Sequence, residues 1–274
     1  MVESWASGST IPSFHDSVIT SCRMAPRYIR LTIAYDGHDY HGWQVQPGMT
    51  TIQGVLNDAL RRLLGPKARI CGASRTDAGV SALGQAGLIE IDSPIPTENL
   101  PKAISDRLPE GIVVTAAEEV RRGFDIVGEV ASKLYRYTIY CGPIRPVLHI
   151  RHCWHVPTPL DVEAMHESAQ VLLGRHDFKS FASAADRRES SVRTIFRCDV
   201  TATPAEGGRW IHVETEGDGF LYNMVRNIVG TLVEVGVGRW APERVAEALE
   251  ARDRRAAGPI APPYGLCLVW IRFD

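Results

Sequence analysis

The stretch KLYRYTIYC, residues 133–141, decides how this chain is read. Tyr135 and Tyr137 fall on one side of an extended backbone and Arg136 on the other, the period of a half-buried strand. The same pattern occurs near the N-terminus in YIRLTIAY, residues 28–35, where Ile29, Leu31 and Ile33 alternate with Arg30 and Thr32. Working outward from the mid-chain strand gives two similar series. Upstream, DGHDYHGWQVQPG is a loop by its Gly, Asp and Pro content. Thr50 and Gln53 then form a capping-box signature before IQGVLNDALRRLL, whose Ile52, Val55, Leu56, Ala59, Leu60 and Leu63 share one helical face. The strands ARICGA and AGLIEI bracket a loop, and a helix near 98–107 and the strand IVVTAAEEV follow. Downstream, Asp161 caps the helix DVEAMHESAQVLLG, closed by Gly174. The strands TIFRCDVT and RWIHVETE flank PAEGG, and the helices FLYNMVRNIVGTLVEVG and PERVAEALEA precede the last strand, GLCLVWIRF. The expected class is α+β, with two similar sheet-plus-helix halves. The expected division is a disordered tail over 1–26, one half over 27–126 and another over 127–274.

Composition bounds the function. A chain of 274 residues can bury a substantial core, and its formal net charge of −2 neither favours nor excludes a nucleic-acid partner. Arg-Arg pairs at 61–62, 121–122, 187–188 and 254–255 read as solvated faces unless the fold gathers them. Six cysteines without a CxxC pair fit neither a disulfide framework nor a zinc knuckle, and suit a reducing cytosol. The first 23 residues lack a basic start followed by an apolar run and carry Glu3 and Asp16, unlike a targeting segment. They read as a disordered tail or as an upstream start ahead of Met24. No apolar run reaches the ~18 residues of a membrane span.

The chemistry centres on ASRTDAGVSALGQ, residues 73–85, which presents one carboxylate, Asp77, beside Arg75 on a tight loop. By itself Asp77 is either a turn aspartate bonded to its own backbone or a functional acid. In MVRNIVGTLVEV, residues 224–235, only Arg226 and Glu234 are charged. Arg226 either snorkels, pairs locally or reaches a distant acid such as Asp77, which it would keep ionised as a nucleophile or base requires. Tyr135 is either a core residue or a platform on which a nucleobase stacks. HIRHCWH, residues 149–155, does not have conventional zinc spacing and reads as strand histidines. No Walker lysine, GxGxxG after a strand or HExxH occurs, so the expected chemistry uses neither nucleotide cofactor nor metal.

Taken together, YDGHDYHGWQVQPGMTTIQGVLNDAL, SRTDAGVSALGQ, KLYRYTIY, HDFKSFA, FLYNMVRNIVGTLVEVG and APPYGLCLVWIRF resemble, in order, the signature blocks of the TruA-type tRNA pseudouridine synthases. The resemblance runs from about residue 27 to the C-terminus. It implies the RRM/ferredoxin-like pseudouridine synthase fold, with the active-site cleft between the halves. It implies conversion of uridine to pseudouridine at positions 38, 39 and 40 of the tRNA anticodon stem-loop, without cofactor or metal, by a cytoplasmic homodimer. Carried over residue by residue, Asp77 is the nucleophile and Arg75 helps displace the target uridine. Tyr135 packs on the flipped base and takes the proton from its C5, and Arg226 holds the Asp77 carboxylate.

The chain departs from the family pattern in three places. Ser74 stands where a glycine is common, and Ser81 where a histidine is common. After Phe124 the family's His-Ala-Arg-Phe-Asp-Ala is replaced by DIVGEV, residues 125–130. The last change removes a basic pair expected near the RNA and introduces two acids. It therefore motivates an alternative, a fold-retaining RNA-binding paralogue with weakened catalysis or an altered target site. An acid-dependent hydrolase is a further alternative, disfavoured because glycoside hydrolysis needs a second positioned carboxyl group.

Overall fold

The alternation seen in the sequence becomes one continuous sheet. The computed structural model describes residues 25–274, so all but the last two positions of the expected tail lie outside the described residues. The strands are β1 (Arg27–Tyr35), β2 (Ile70–Gly72), β3 (Ser81–Ile91), β4 (Ile112–Val120), β5 (Val130–Cys141), β6 (Trp154–Val156), β7 (Gly174–Asp177), β8 (Val192–Ala205), β9 (Gly208–Gly217) and β10 (Leu266–Phe273). Five α-helices join them: α1 (Ile52–Leu64), α2 (Leu100–Ser105), α3 (Val162–Ala169), α4 (Met224–Gly236) and α5 (Arg244–Ala251). The ladder runs β4-β1-β3-β10-β5-β9-β8-β7, with β2 added to β3 and β6 to β5.

The last strand joins the two series. β10 pairs in parallel with β3 through Cys267–Ser81 and Leu268–Ala82, and antiparallel with β5, where Leu268 faces Tyr135. Parallel neighbours require a long crossover, and here more than half of the chain separates β3, which ends at Ile91, from β10, which starts at Leu266. The residues just after the Asp77 loop and the tyrosine strand therefore flank the same β10 residue.

One contiguous core holds this sheet. In β1, Ile29, Leu31 and Ile33 are fully buried, as their spacing requires, and on α1 Ile52, Leu56, Ala59 and Leu60 are buried with them. A smaller cluster of Ala73, Ala86 and Ile126, with Phe124, Val130 and Phe273 against it, packs apart from that core.

Several local expectations are corrected. The N-cap of α1 is Thr51, whose hydroxyl accepts from Gly54 N at 3.3 Å. No capping box forms, because Gln53 instead accepts from Val45 N and donates to the Ile70 carbonyl, tying loop, helix and strand. Asp161 caps α3 as expected, accepting from Ala164 N, but the α-helix ends at Ala169 and passes through a 3-10 turn before Gly174. The helix expected near 98–107 spans only Leu100–Ser105, after a 3-10 turn. α4 starts at Met224 rather than Phe220, because Asn223 takes a left-handed conformation, φ 62°. In HIRHCWH, residues 150–152 form a 3-10 turn and only His155 is a strand histidine.

Twelve of the thirteen residues of α4 are buried, so its placement is set by close backbone approach. A Cβ at Gly230 would lie 1.7 Å from the Pro259 carbonyl oxygen, which only glycine avoids. Gly230→Ala is expected to destabilise the fold by about 3 kcal/mol, because helix and segment must separate. Urea unfolding of the two proteins measures this, and an unchanged midpoint would contradict the packing described.

Candidate active site

The loop between β2 and β3 is fixed from behind, which leaves its acid facing outward. The Thr76 carbonyl accepts from Trp43 N at 3.0 Å, and the Thr76 hydroxyl shares a 2.8 Å hydrogen bond with the buried Tyr35 phenol. Gln85, fully buried on β3, donates to the Ser74 carbonyl at 2.9 Å. Gly42, at φ 82°, lies against the same loop, and a Cβ there would be 2.7 Å from the Thr76 carbonyl oxygen. The HGW segment, residues 41–43, is thus a backstop for the loop. Within the loop, the Asp77 carbonyl accepts from Val80 N at 3.1 Å. The turn is closed by backbone, and the Asp77 carboxylate takes no part in that bond.

That carboxylate meets the arginine helix. Arg226 Nη1 lies 3.8 Å from Asp77 Oδ2, an ion pair beyond hydrogen-bond length. The guanidinium is only 12% exposed and is held by two other acceptors, with Nε donating to the Ala261 carbonyl and Nη1 to Asn223 Oδ1, both at 2.8 Å. Its polar head is therefore satisfied without Asp77, and it both pairs locally, with Asn223, and reaches the distant acid. Electrostatically, burial dominates and pushes the Asp77 carboxyl above its ordinary range, while Arg226 and then Arg188 pull it part of the way back. Arg226 thus favours the ionised carboxyl, as expected, but the burial of the pocket outweighs it.

Asp77, Arg226, Tyr135 and Arg75 all line one cleft of about 1050 Å³. Arg75 is exposed on its rim. Tyr135 is buried, stands edge-on to Phe220 at 5.1 Å between ring centroids, and shares a 3.3 Å hydrogen bond with the Ser74 hydroxyl. Burial pushes its phenol up to about 12, so it is held protonated.

Three lining residues escaped the sequence reading. Lys133 precedes Tyr135 by two positions and so shares its face of β5, a signal present in KLYRY. Its amine donates to the Ala73 carbonyl at 3.2 Å and to the Ser74 hydroxyl at 3.3 Å. Arg188 belongs to one of the Arg-Arg pairs, but it lines the cleft, donates to the Phe220 carbonyl and pairs with Asp186 at 3.1 Å. Asp186 is a second carboxylate in the cleft. Burial raises it, but the backbone N–H groups of Tyr222 and Arg188 outweigh that, and it sits below its ordinary value. Only proximity in the fold identifies Arg188 and Asp186.

The DIVGEV segment is turned away from this chemistry. Asp125 accepts from Val127 N at 3.0 Å, and Glu129 accepts from Arg121 and from Asp125 N. Ile126 is buried beside Ala73, and of this segment Val127 alone lines the cleft. Among the described residues no group of His, Cys, Asp and Glu could hold a metal ion, and no helix is long and apolar enough to cross a membrane.

A family model described as tRNA pseudouridine synthase matches residues 31–126 and 168–274. The tRNA pseudouridine synthase A of Caldicellulosiruptor saccharolyticus is 41% identical over 243 residues, covering 89% of this chain and 98% of that protein. The protein of the same name from Brevibacillus brevis is 43% identical over 240 residues, 88% of this chain and 97% of the other. For Moorella thermoacetica the figures are 43% over 247 residues, 89% and 99%. The matched segments carry the Asp77 loop and α4, and the longer alignments extend over most of β1 to β10. With that likeness across nearly the full length of each relative, the chain belongs to the tRNA pseudouridine synthase family.

Proposed function

We propose that this protein isomerises uridine to pseudouridine in the anticodon stem-loop of tRNA, at positions 38, 39 and 40, with Asp77 as nucleophile. The observation that carries the assignment is the 3.8 Å approach of Arg226 to Asp77 at the wall of a cleft that also holds Tyr135. Isomerisation exchanges a C–N for a C–C glycosidic bond within one nucleotide, so neither an energy source nor a redox carrier is required. The uridine leaves its stack at a cost of a few kcal/mol and enters the cleft. Arg75, on the rim, fills the space it vacates or holds a phosphate. Tyr135 packs on the base and receives the C5 proton, and Arg226 orients the carboxylate. A partly desolvated carboxylate is a stronger nucleophile than a solvated one, which gives the burial of Asp77 a use. Action at three neighbouring positions calls for reading of RNA shape and backbone. The same reading makes the enzyme a cytoplasmic homodimer with RRM-like halves over 27–126 and 127–274.

The competing readings have less support. The paralogue reading rested on the basic pair lost after Phe124; the acids that stand in DIVGEV bind their own turn and Arg121. A hydrolase would need a carboxyl held protonated beside Asp77, whereas Asp186 is shifted the other way.

Asp77→Asn is expected to abolish tritium release from C5-labelled uridine in tRNA while leaving tRNA affinity within a few-fold. Residual turnover would mean that another group attacks. The same variant is expected to melt at the same temperature as wild type or higher near neutral pH. The folded-state pKa lies above the unfolded one, so stability is present below the unfolded value and lost as pH rises through the folded one. A markedly lower melting temperature at pH 7 would contradict that sign.

Arg226→Ala removes an influence that lowers the Asp77 pKa. The acid limb of the pH–rate profile is expected to move to higher pH, with a rate loss of about 10²-fold. An unshifted limb would show that the two charges do not communicate.

A further inference from the structure

A neutral phenol is a poor proton acceptor. Tyr135 is to accept a proton from C5, yet a phenol held protonated has no basic site strong enough unless its own proton leaves as the new one arrives. The structure supplies a path for that proton. The Tyr135 hydroxyl is 3.3 Å from the Ser74 hydroxyl, and the Ser74 hydroxyl is 3.3 Å from Lys133 Nζ. Nζ is also 3.2 Å from the Ala73 carbonyl. All three side chains line the cleft that holds Asp77.

We propose that Lys133, as the neutral amine, draws the C5 proton through a relay of Tyr135 and Ser74 during pseudouridine formation. The inference rests on the assignment of Asp77 and Tyr135 to that reaction. In the resting arrangement the amine donates to the Ala73 carbonyl and to the Ser74 hydroxyl; once it has lost a proton it keeps the bond to Ala73 and accepts from Ser74 instead. Ser74 in turn accepts from the Tyr135 hydroxyl, whose lone pair is then free for the base. Once the ring has rejoined the ribose through C5, the C5–H bond breaks and its electron pair forms C5=C6. The C6=N1 pair moves onto N1, which takes a proton from water. The C5 proton goes to the Tyr135 oxygen, the phenol's own proton to Ser74, and the serine's to Lys133. The resulting ammonium resets by releasing a proton to solvent. Ser74 and Lys133 act through Tyr135 and are positioning residues.

The surroundings favour the neutral amine. Burial, then Arg188 from the segment after β7, then Arg193 on β8, bring Lys133 down to about 8. Asp218 and Asp186 bear on Arg193, and Asp186 pairs with Arg188 at 3.1 Å. Facing Tyr135 are Ser74, Asp77, Cys267 on β10 and Arg188. An ordinary lysine would be fully charged near neutrality and could only donate; this one gains a lone pair as the pH rises through about 8. The bridging hydroxyl also gives a physical use to Ser74, where a glycine would leave Tyr135 and Lys133 unlinked.

The test is single-turnover release of C5 tritium from tRNA, compared with deuterium at C5, for wild type, Lys133→Met, Ser74→Ala and Ser74→Thr. The wild-type rate is expected to rise with pH through about 8. Lys133→Met and Ser74→Ala are expected to slow release by about 10²-fold, to lose that rise and to gain a primary isotope effect at C5. Ser74→Thr, which keeps the hydroxyl, is expected to recover most of the loss. Wild-type rates in both Lys133→Met and Ser74→Ala would overturn the relay. So would slowing without an isotope effect or a changed pH profile, which is what a purely structural role gives. Wild type that releases no tritium would instead overturn the assignment of the reaction, and the relay with it.

Discussion

The active site exists because β10 pairs with β3 and β5 at once. Only two residue pairs define the parallel contact with β3, Cys267–Ser81 and Leu268–Ala82. Yet Leu268 also faces Tyr135 across the antiparallel ladder. The Asp77 loop enters β3 immediately before these positions, so one fully buried leucine sets the spacing between Asp77 and Tyr135. The arrangement is costly in chain entropy, since residues near the C-terminus must return to a strand formed from the first third of the chain. It is sustained by a core that runs unbroken from β1 to α5. Losing the last strand would expose two sheet edges and separate Asp77 from Tyr135, even with every other element intact.

On that frame the loop is held rigidly from behind and sparsely in front. Tyr35, Trp43 and Gln85 engage the atoms of residues 74 and 76, while the Asp77 carboxylate meets a guanidinium 3.8 Å away. Burial thus raises the carboxyl more than its cationic neighbours lower it. Such a site stores unfavourable solvation at one group and compensates elsewhere, which is the common relation between an active site and the stability of its fold. Arg226 fits the same logic. Its orientation comes from Ala261 and Asn223, so it is already aimed before substrate arrives. Preorganisation of this kind avoids reorganisation at the moment of reaction.

The sequence made some of this legible and hid the rest for physical reasons. Strand periodicity in YIRLTIAY and KLYRYTIYC, and the apolar face of α1, are local signals that the core obeys. The start of α4 was obscured because FLYN is apolar enough to continue the helix, while Asn223 can adopt the left-handed geometry that ends the loop. Thr50 matched the capping box in spacing, but Gln53 was drawn to Ile70 by a tertiary contact that no local pattern encodes. The acids of DIVGEV were visible as charges but not as the caps of their own turn. Lys133 could have been found from period two alone. Arg188 and Asp186 could not, because their relation to Asp77 is made by distant parts of the chain.

Overall charge misleads about the partner for a related reason. A formal charge of −2 gives no sign of an RNA ligand, yet electrostatic binding depends on where charges lie. The cleft is lined by five cationic residues, Arg75, Lys133, Arg187, Arg188 and Arg226, against two acids, Asp77 and Asp186. Both acids lie within 4 Å of one of those arginines. The acids of the segment after Phe124 are occupied by Arg121 and by backbone outside the cleft. A polyanion approaching this face therefore meets a local excess of positive charge, and counterion release at that face would drive association whatever the protein's total charge. Arg188, one of these cations, adds to the burial that lowers the Lys133 amine, and with Arg226 it draws Asp77 back toward ionisation. Binding and chemistry are thus set by one group of charges, so altering a cleft cation for affinity alters the protonation states on which the reaction depends.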